Sequence, residues 1–397
     1  MRGEEGHSIS SSVRSTDVAV IGGGAIGLAC AWRIAEHGLR VAVIDPSPGR
    51  GASWAAAGML APVTEVHHGE EALLQLNLAS SDLYPRFIDE LEEATGMSPG
   101  YRRCGTLMVA RDRDDNLALE DLYRFQLGLG LSVERLKSSD CHHLEPALSP
   151  GVRGGILVRG DHQVDNQALL TALEEACARC GVSFLPTHAE AIIVEHDRVV
   201  GVALPAGDGL RCDHLVLAAG AWSASLRGLP PQARPPLRPV KGQLLHLRTP
   251  AAAASRGVPL TGHNIRGLDV YLVVRGDGRV VIGASTEERG FDTSVTAGAI
   301  LELLRDAYEL VPGIHELELT ETVAGLRPAT PDNAPLIGAG ALEGLVMATG
   351  HYRNGILLTP ITADAIAELV TSSTLLESVE PFSPGRFEAS LTQRATP

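Results

Sequence analysis

The sequence predicts an α/β chain in which a parallel, doubly wound sheet is interleaved with an α+β domain built on an antiparallel sheet. Three observations carry that expectation. Short apolar runs recur near the start, middle and end (17–21, 214–219, 345–348), the texture of strands buried on both faces. The first run is followed by a glycine turn, a helix-period segment and a second apolar run, the spacing of a βαβ unit. From about 236 to 292 the texture changes to β, with Gly276-Asp277-Gly278 as a hairpin turn. Because this β-rich stretch separates the second and third apolar runs, the two domains are expected to be discontinuous.

The elements follow in order. A strand over 17–21 leads into a helix over 25–37, with Ile26, Ala29, Cys30, Arg33 and Ile34 at near-helical spacing and Gly38 ending it. The next strand, 40–45, is stopped by Pro46 and Pro48. Residues 70–95 form a long amphipathic segment that Pro85 divides into two helices or kinks. A strand over 105–110 and helices over 114–129 and 166–180 come next, then a strand over 182–185. Residues 191–196 and 199–204 form a hairpin around Asp197-Arg198, and strand 214–219 ends at Gly220. The β-rich stretch supplies strands 242–248, 270–275 and 279–284; helix 296–310, strand 345–348 and helix 361–371 complete the chain.

Composition narrows the function classes. A net charge of −15 argues against a nucleic-acid surface. No apolar run approaches the roughly 20 residues of a membrane span, and Met1 to Thr16 reads as a polar, Ser-rich, disordered lead-in without the apolar core of a secretory signal. Cys30, Cys104, Cys141, Cys177, Cys180 and Cys212 are scattered rather than arranged as a disulfide framework. Cys177 and Cys180 have CxxC spacing, but no second pair or histidine cluster completes a metal site, so no metal is expected and a reduced, cytoplasmic compartment fits best.

Gly22-Gly23-Gly24-Ala25-Ile26-Gly27 satisfies G-x-G-x-x-G between a strand and a helix. Gly22 makes the tight turn, Gly24 lets the backbone approach a pyrophosphate, and Gly27 allows close helix–strand packing. The anion then sits on the helix N-terminus, where N–H groups and the dipole favour negative charge. Asp45 closes the second strand 23 residues after Gly22, placed to accept both ribose hydroxyls and to repel a 2′-phosphate. This is a Rossmann-like site for an adenine dinucleotide, with NADP disfavoured.

The motif does not separate NAD from FAD. Arg50-Gly51-Ala52-Ser53-Trp54-Ala55-Ala56-Ala57-Gly58-Met59-Leu60 resembles the segment that lies along FAD in the D-amino-acid oxidase and glycine oxidase family; an Ala-rich, tightly packed helix start is the bland alternative. Leu215 to Ser223 is similar to the family's second FAD-proximal strand and turn, and 324–332 and 350–358 resemble its two C-terminal signatures. The likeness runs in order from 17 to about 372. It implies a Rossmann-like FAD-binding domain of the GR2 type over 17–84, 150–235 and 322–372, a substrate domain over 85–149 and 236–321, a lead-in over 1–16 and a C-terminal tail over 373–397. It also implies FAD contacts at Gly22, Gly24, Ala25, Ile26, Gly27, Asp45, Pro46, Ala52, Ser53, Ala57, Gly58, Met59, Ala191, Gly220, His351, Tyr352, Asn354, Gly355, Ile356 and Leu357. With no cysteine near the first C-terminal signature, the FAD is expected to be non-covalent.

The activity this resemblance implies is oxidation of glycine or another small amine by hydride transfer to flavin N5, yielding an imine, then glyoxylate and ammonia, with O2 reduced to H2O2, in service of thiamine thiazole synthesis. A homotetramer is implied as well. Arg327 is the candidate for the substrate carboxylate, because a guanidinium in the apolar stretch Val323-Ala324-Gly325-Leu326-Arg327-Pro328 needs a partner and its planar fork fits a carboxylate. An ion pair with Asp332 is the other reading. Tyr271 is either a second carboxylate contact or a half-buried strand aromatic. Arg353 matches a second substrate-proximal position, and the 350–355 backbone with the following helix N-terminus is suited to negative charge on the flavin. His351 is not assigned as a base, since hydride loss from a neutral amine needs none. Asp269 and Thr286 stand where relatives carry histidine and methionine; both are expected to face the substrate, with Asp269 contacting its amine or excluding larger acids. A D-amino-acid or sarcosine oxidase or dehydrogenase, and a non-catalytic flavin-binding regulatory protein, are the alternatives.

Overall fold

The computed structural model describes residues 14–250, 260 and 262–387. The lead-in expected over 1–16 and the tail expected over 373–397 therefore lie partly outside the described residues. The chain divides into two compact units, one comprising the residues up to Arg50, Thr171–Arg238 and those from Pro328, the other Gly51–Leu170 and Pro239–Arg327. Residues 51–84 and 150–170 thus belong to the second of these units.

The first unit is built on a six-stranded sheet in the order Leu336–Ala339, Leu345–Thr349, His214–Leu217, Val18–Ile21, Val41–Ile44, Ser183–Leu185. Four of its pairings are parallel, and only the edge hairpin formed by its first two strands is antiparallel. The four residues of Val18–Ile21 and of Val41–Ile44 are all buried, as strands covered on both faces require. Helices Ala25–Glu36 and Thr359–Ser372 pack on each other, and the first buries Leu28, Trp32 and Ile34 completely. A second sheet pairs Arg14–Ser15, Gly209–Arg211, Arg198–Ala203 and Ala191–Glu195. Its last two strands are the expected hairpin, turned by His196 and Asp197 at positive φ. Beyond the last helix, Glu377–Phe382 and Pro384–Phe387 are short 3-10 turns, and Val379 and Phe382 are buried.

The second unit is built on an eight-stranded sheet: Glu318–Ala329, Arg238–Arg248, Arg279–Gly283, Tyr271–Val274, Asn264–Arg266, Thr106–Ala110, Gly154–Val158, Glu134–Lys137. One pairing, Asn264–Arg266 with Thr106–Ala110, is parallel. Glu71–Thr95 is a single helix that carries Pro85 within it, with Tyr84, Phe87, Ile88 and Leu91 buried around the proline. Helix Arg113–Gly128 is capped by Asp112, whose carboxylate accepts the Asp114 and Asp115 N–H groups at 2.9 Å each. Helix Ala297–Leu310 starts at Thr296, whose hydroxyl accepts from Ala299 N. No helix among the described residues is long and apolar enough to cross a membrane.

Candidate active site

In the first unit the glycine turn is closed so tightly that side chains are sterically excluded. Gly22 has φ +109°, and a Cβ there would stand 2.3 Å from Ala218 O; a Cβ on Gly27 would stand 1.9 Å from Gly22 O. Gly24 caps the following helix from an extended conformation, with no side chain bonded to the helix end. The Asp45 carboxylate accepts Gly23 N at 2.7 Å and Ser47 N at 2.8 Å, so the acid that terminates the second strand also fixes the turn beside it. This bare cradle at an uncapped helix N-terminus, with an acid at the adjoining strand end, fits the pyrophosphate and ribose of an adenine dinucleotide. Pro46 is exposed next to that acid, while Ala25 is buried within the turn.

The 350–358 loop belongs to the same unit. Gly350 turns at φ +77° and Tyr352 at φ +47°. Tyr352 N donates to Pro328 O at 3.0 Å, Asn354 N to His351 O at 2.9 Å, and Leu358 N to Asn354 O at 2.8 Å. Gly355, Ile356 and Leu357 then run into helix Thr359–Ser372, whose N-cap, Leu358, supplies no side-chain cap. The Arg353 guanidinium lies 5.4 Å from the Tyr352 ring centroid. His351 is buried with Nε2 3.0 Å from Thr362 Oγ1, and burial pushes its imidazole down to about 3. The ring therefore stays neutral down to acid pH.

That shift has a consequence for stability. An unfolded imidazole takes up its proton near pH 6.5, whereas the folded one resists until about 3, so stability is full above the first value and falls as pH drops towards the second. His351→Gln is expected to flatten the fall in thermal midpoint between about pH 7 and about pH 4.5. Parallel declines in the two proteins would remove His351 from the acid response.

Gly220, with φ +53°, opens a 3-10 turn after strand His214–Leu217, and Ala191 is half-buried at the edge of the smaller sheet, bridged to Arg227. The Cys177 thiol donates to Leu28 O at 3.2 Å, and burial pushes it up, whereas Cys180 is exposed. Neither joins a group of three or more metal-ligating side chains among the described residues.

In the second unit, Arg327 lies near the end of strand Glu318–Ala329. Its Nη1 donates to Ser285 O at 3.1 Å and to Lys241 O at 3.4 Å, and it has no carboxylate partner among the described residues. Asp332, the alternative partner, is instead engaged by Arg386 at 2.9 and 3.1 Å. Tyr271 opens its strand half-buried; burial pushes its phenol up to about 12, against a smaller opposing pull from Arg327. The hydroxyl therefore keeps its proton and stays a donor.

The strand that carries Tyr271 begins only at that residue. Asp269 stands in the bend before it, its side chain 73% exposed and 3.5 Å from Arg111 Nη2. Thr286 is likewise exposed, beyond the end of strand Arg279–Gly283. Both positions thus lie outside the neighbouring strands, with exposed side chains.

The small-residue segment at 52–59 is held from behind by two residues that sequence reasoning did not single out. Asn166 Nδ2 donates to Ser53 O and Trp54 O, each at 2.9 Å. Arg275 Nη2 donates to Ala57 O at 2.7 Å and Asn166 Oδ1 at 3.1 Å, while its Nη1 reaches Gln163 Oε1 and Val164 O. Burial lowers the Arg275 guanidinium to about 10, still charged. Gly58 is required at φ +72°, since a Cβ would lie 2.0 Å from Val164 O; Met59 pairs across to Gln163. The signal for Arg275 was present in the sequence: like Arg327, it is an arginine ending an apolar run, Val270-Tyr271-Leu272-Val273-Val274.

The chain is 36% identical over 374 residues to the bifunctional protein ThiO/ThiG of Trichormus variabilis, covering 94% of this chain and 55% of that protein. It thus spans about half the length of such bifunctional relatives. It is 34% identical to the glycine oxidase of Geobacillus kaustophilus over 92% of this chain and 96% of that one. The crystal structure of glycine oxidase from Geobacillus kaustophilus superposes with a TM-score of 0.85 at 33% identity, covering 94% and 99% of the two chains. The family model described as FAD dependent oxidoreductase matches residues 17–369, and the chain belongs to that family.

Proposed function

We propose that this chain oxidises the amine of glycine, with other small amino acids as slower substrates, giving the imine and from it glyoxylate and ammonia, with O2 as the final acceptor and H2O2 as its product. The reading rests on Arg327, a guanidinium held by two main-chain carbonyls, without a carboxylate partner among the described residues and within electrostatic reach of a protonated phenol. Such a pair binds one substrate carboxylate, bidentately to the fork and singly to the hydroxyl. Fixing the carboxylate orients the Cα–H, and orientation is the protein's largest contribution to this chemistry. FAD, when bound, would supply the electron chemistry, as the hydride acceptor for Cα and the two-electron donor to O2. Arg353 is assigned to the substrate as a second contact, and the 350–357 backbone to negative charge at the flavin's pyrimidine edge. The glycine turn, Asp45 and Pro46 are assigned to the adenine end of a non-covalent FAD, and the segment at 52–59, Ala191 and Gly220 to the rest of it.

The unit carrying the six-stranded sheet is accordingly assigned the adenine end of FAD, and the unit carrying the eight-stranded sheet contains Arg327 and Tyr271. Relatives named ThiO/ThiG support a place in thiamine thiazole synthesis; a homotetramer in the cytoplasm completes the reading. The test is anaerobic mixing of the yellow protein with glycine, sarcosine, D-alanine, D-proline and a larger D-amino acid. Glycine is expected to bleach the flavin fastest and, on admission of air, to yield peroxide. Faster bleaching by another member would move the substrate, and no bleaching by any of them would leave a non-catalytic flavoprotein.

A further inference from the structure

Two glycines in neighbouring strands lie directly beneath the two donors just described. Gly242, in strand Arg238–Arg248, underlies the Arg327 guanidinium: a Cβ built on it would stand 2.3 Å from Nη2, 2.4 Å from Cζ and 2.4 Å from Nη1. Near-equal distances to three atoms of a planar group mean that the fork lies face-on across the glycine. Gly283 pairs directly with Tyr271, and a Cβ there would stand 2.4 Å from the hydroxyl oxygen and 2.5 Å from Cζ. Leu244 pairs with Gly283, so Gly242, two residues from Leu244, presents the same face of the sheet. A glycine inside a strand costs conformational entropy and gives up packing, so two of them under two polar side chains need a reason.

The edges of the seat are fixed too. Gln243 N donates to Ser285 Oγ at 3.0 Å, Ser285 N donates to Gln243 O at 3.3 Å, and Ser285 Oγ donates to Glu287 Oε1 at 2.7 Å. Ser285 in turn presents the carbonyl that accepts Arg327 Nη1. The arginine is thus bounded below by a bare Cα and on one edge by anchored carbonyls.

We propose that Gly242 is a positioning residue for substrate binding: the absence of a side chain there sets the plane and height of the Arg327 fork, and Gly283 does the same for Tyr271, so that both donors converge on one carboxylate. This rests on the reading of Arg327 as the carboxylate ligand. A methyl at 242 must push the fork from 2.3 Å towards the 3.4 Å of an ordinary contact. What gives way is the far end of a flexible side chain, not backbone, so the strand persists while the guanidinium moves.

The experiment uses FAD-loaded Gly242→Ala, Arg327→Ala and the double variant, with acetate titrated against the flavin absorbance and thermal unfolding recorded alongside. Gly242→Ala is expected to weaken acetate binding by about 10-fold or more and to raise KM for glycine further than it lowers kcat. In the Arg327→Ala background the same substitution is expected to change acetate binding by less than about twofold. Should Gly242→Ala fail to fold alone, the double variant must fold, because the three atoms nearest to the new methyl are gone. Wild-type acetate binding by Gly242→Ala, or equal weakening in both backgrounds, would overturn the seat while leaving Arg327 as the ligand. Unchanged acetate binding by Arg327→Ala would instead overturn the reading of Arg327, and the seat with it.

Discussion

Replacing Arg327 by alanine is expected to lower kcat/KM for glycine by about 100- to 1000-fold, chiefly through KM, while the flavin remains bound. A bidentate guanidinium–carboxylate pair comprises two charge-assisted hydrogen bonds, each contributing about 1.5–3 kcal/mol, and about 1.4 kcal/mol is tenfold in binding. The lower part of the summed range applies, because Tyr271 keeps its own contact and water re-enters the vacated space. Arg327→Lys should recover only part of the loss: an ammonium restores the charge but cannot form two parallel bonds. Neither substitution strips a carboxylate of its partner, since Asp332 is engaged by Arg386, so the thermal midpoint should change little. Steady-state kinetics with glycine, together with acetate titration of the flavin spectrum, separate binding from chemistry. A variant that kept the wild-type KM and lost only kcat would mean that Arg327 acts on the reacting atoms and not on the carboxylate.

The parallel strands of the six-stranded sheet that are covered on both faces were legible because such strands must be apolar at every position, as Val18–Ile21 and Val41–Ile44 are. The antiparallel edge strand Leu336–Ala339 was not expected. The eight-stranded sheet was legible only in part: four of its strands were expected, and Gly154–Val158, although buried at all five positions, was not. Glu134–Lys137 reads Glu-Arg-Leu-Lys and lies at one edge; Glu318–Ala329 lies at the other, and its first four residues are exposed. An edge strand has one neighbour and tolerates polar residues, so neither apolar runs nor strict alternation marks it. The parallel pairing of Asn264–Arg266 with Thr106–Ala110 joins segments more than 150 residues apart, which no local pattern encodes.

The site divides in the same way. Arg327 could be picked out from residue type and context, because a charge in an apolar stretch must be accounted for locally, whereas Tyr271 came mainly from the family resemblance. Gly242 and Gly283 could not, since a glycine acquires its meaning from the side chain laid across it, and Gly242 is 85 residues from Arg327. Asp269 and Thr286 came from the family resemblance and not from a local pattern, and both stand outside regular strands.

Gly27→Ala is expected to cost the protein its cofactor while leaving most of its fold. The new methyl would fall 1.9 Å from Gly22 O and 3.0 Å from Gly22 C, both backbone atoms of the turn it must clear. The helix Ala25–Glu36 and the turn therefore have to separate, and the N–H groups at its first turn move away from where a pyrophosphate would sit. Loss of one or two charge-assisted hydrogen bonds, at about 1.5–3 kcal/mol each, predicts FAD affinity lower by at least about 10-fold and up to about 10,000-fold. Gly38→Ala provides the comparison. That glycine ends the same helix at φ +83° with nothing within 4 Å of a Cβ, so its substitution costs only left-handed strain, about 1 kcal/mol. Ultrafiltration of the two purified variants against added FAD, followed by thermal unfolding with and without it, separates the effects. Gly38→Ala should bind FAD as the wild type does and unfold a few degrees lower; Gly27→Ala should emerge colourless and gain little stability from added FAD. A yellow Gly27→Ala protein with wild-type affinity would show that the turn can relax around a methyl, and that its closeness serves the packing of strand on helix and not the dinucleotide.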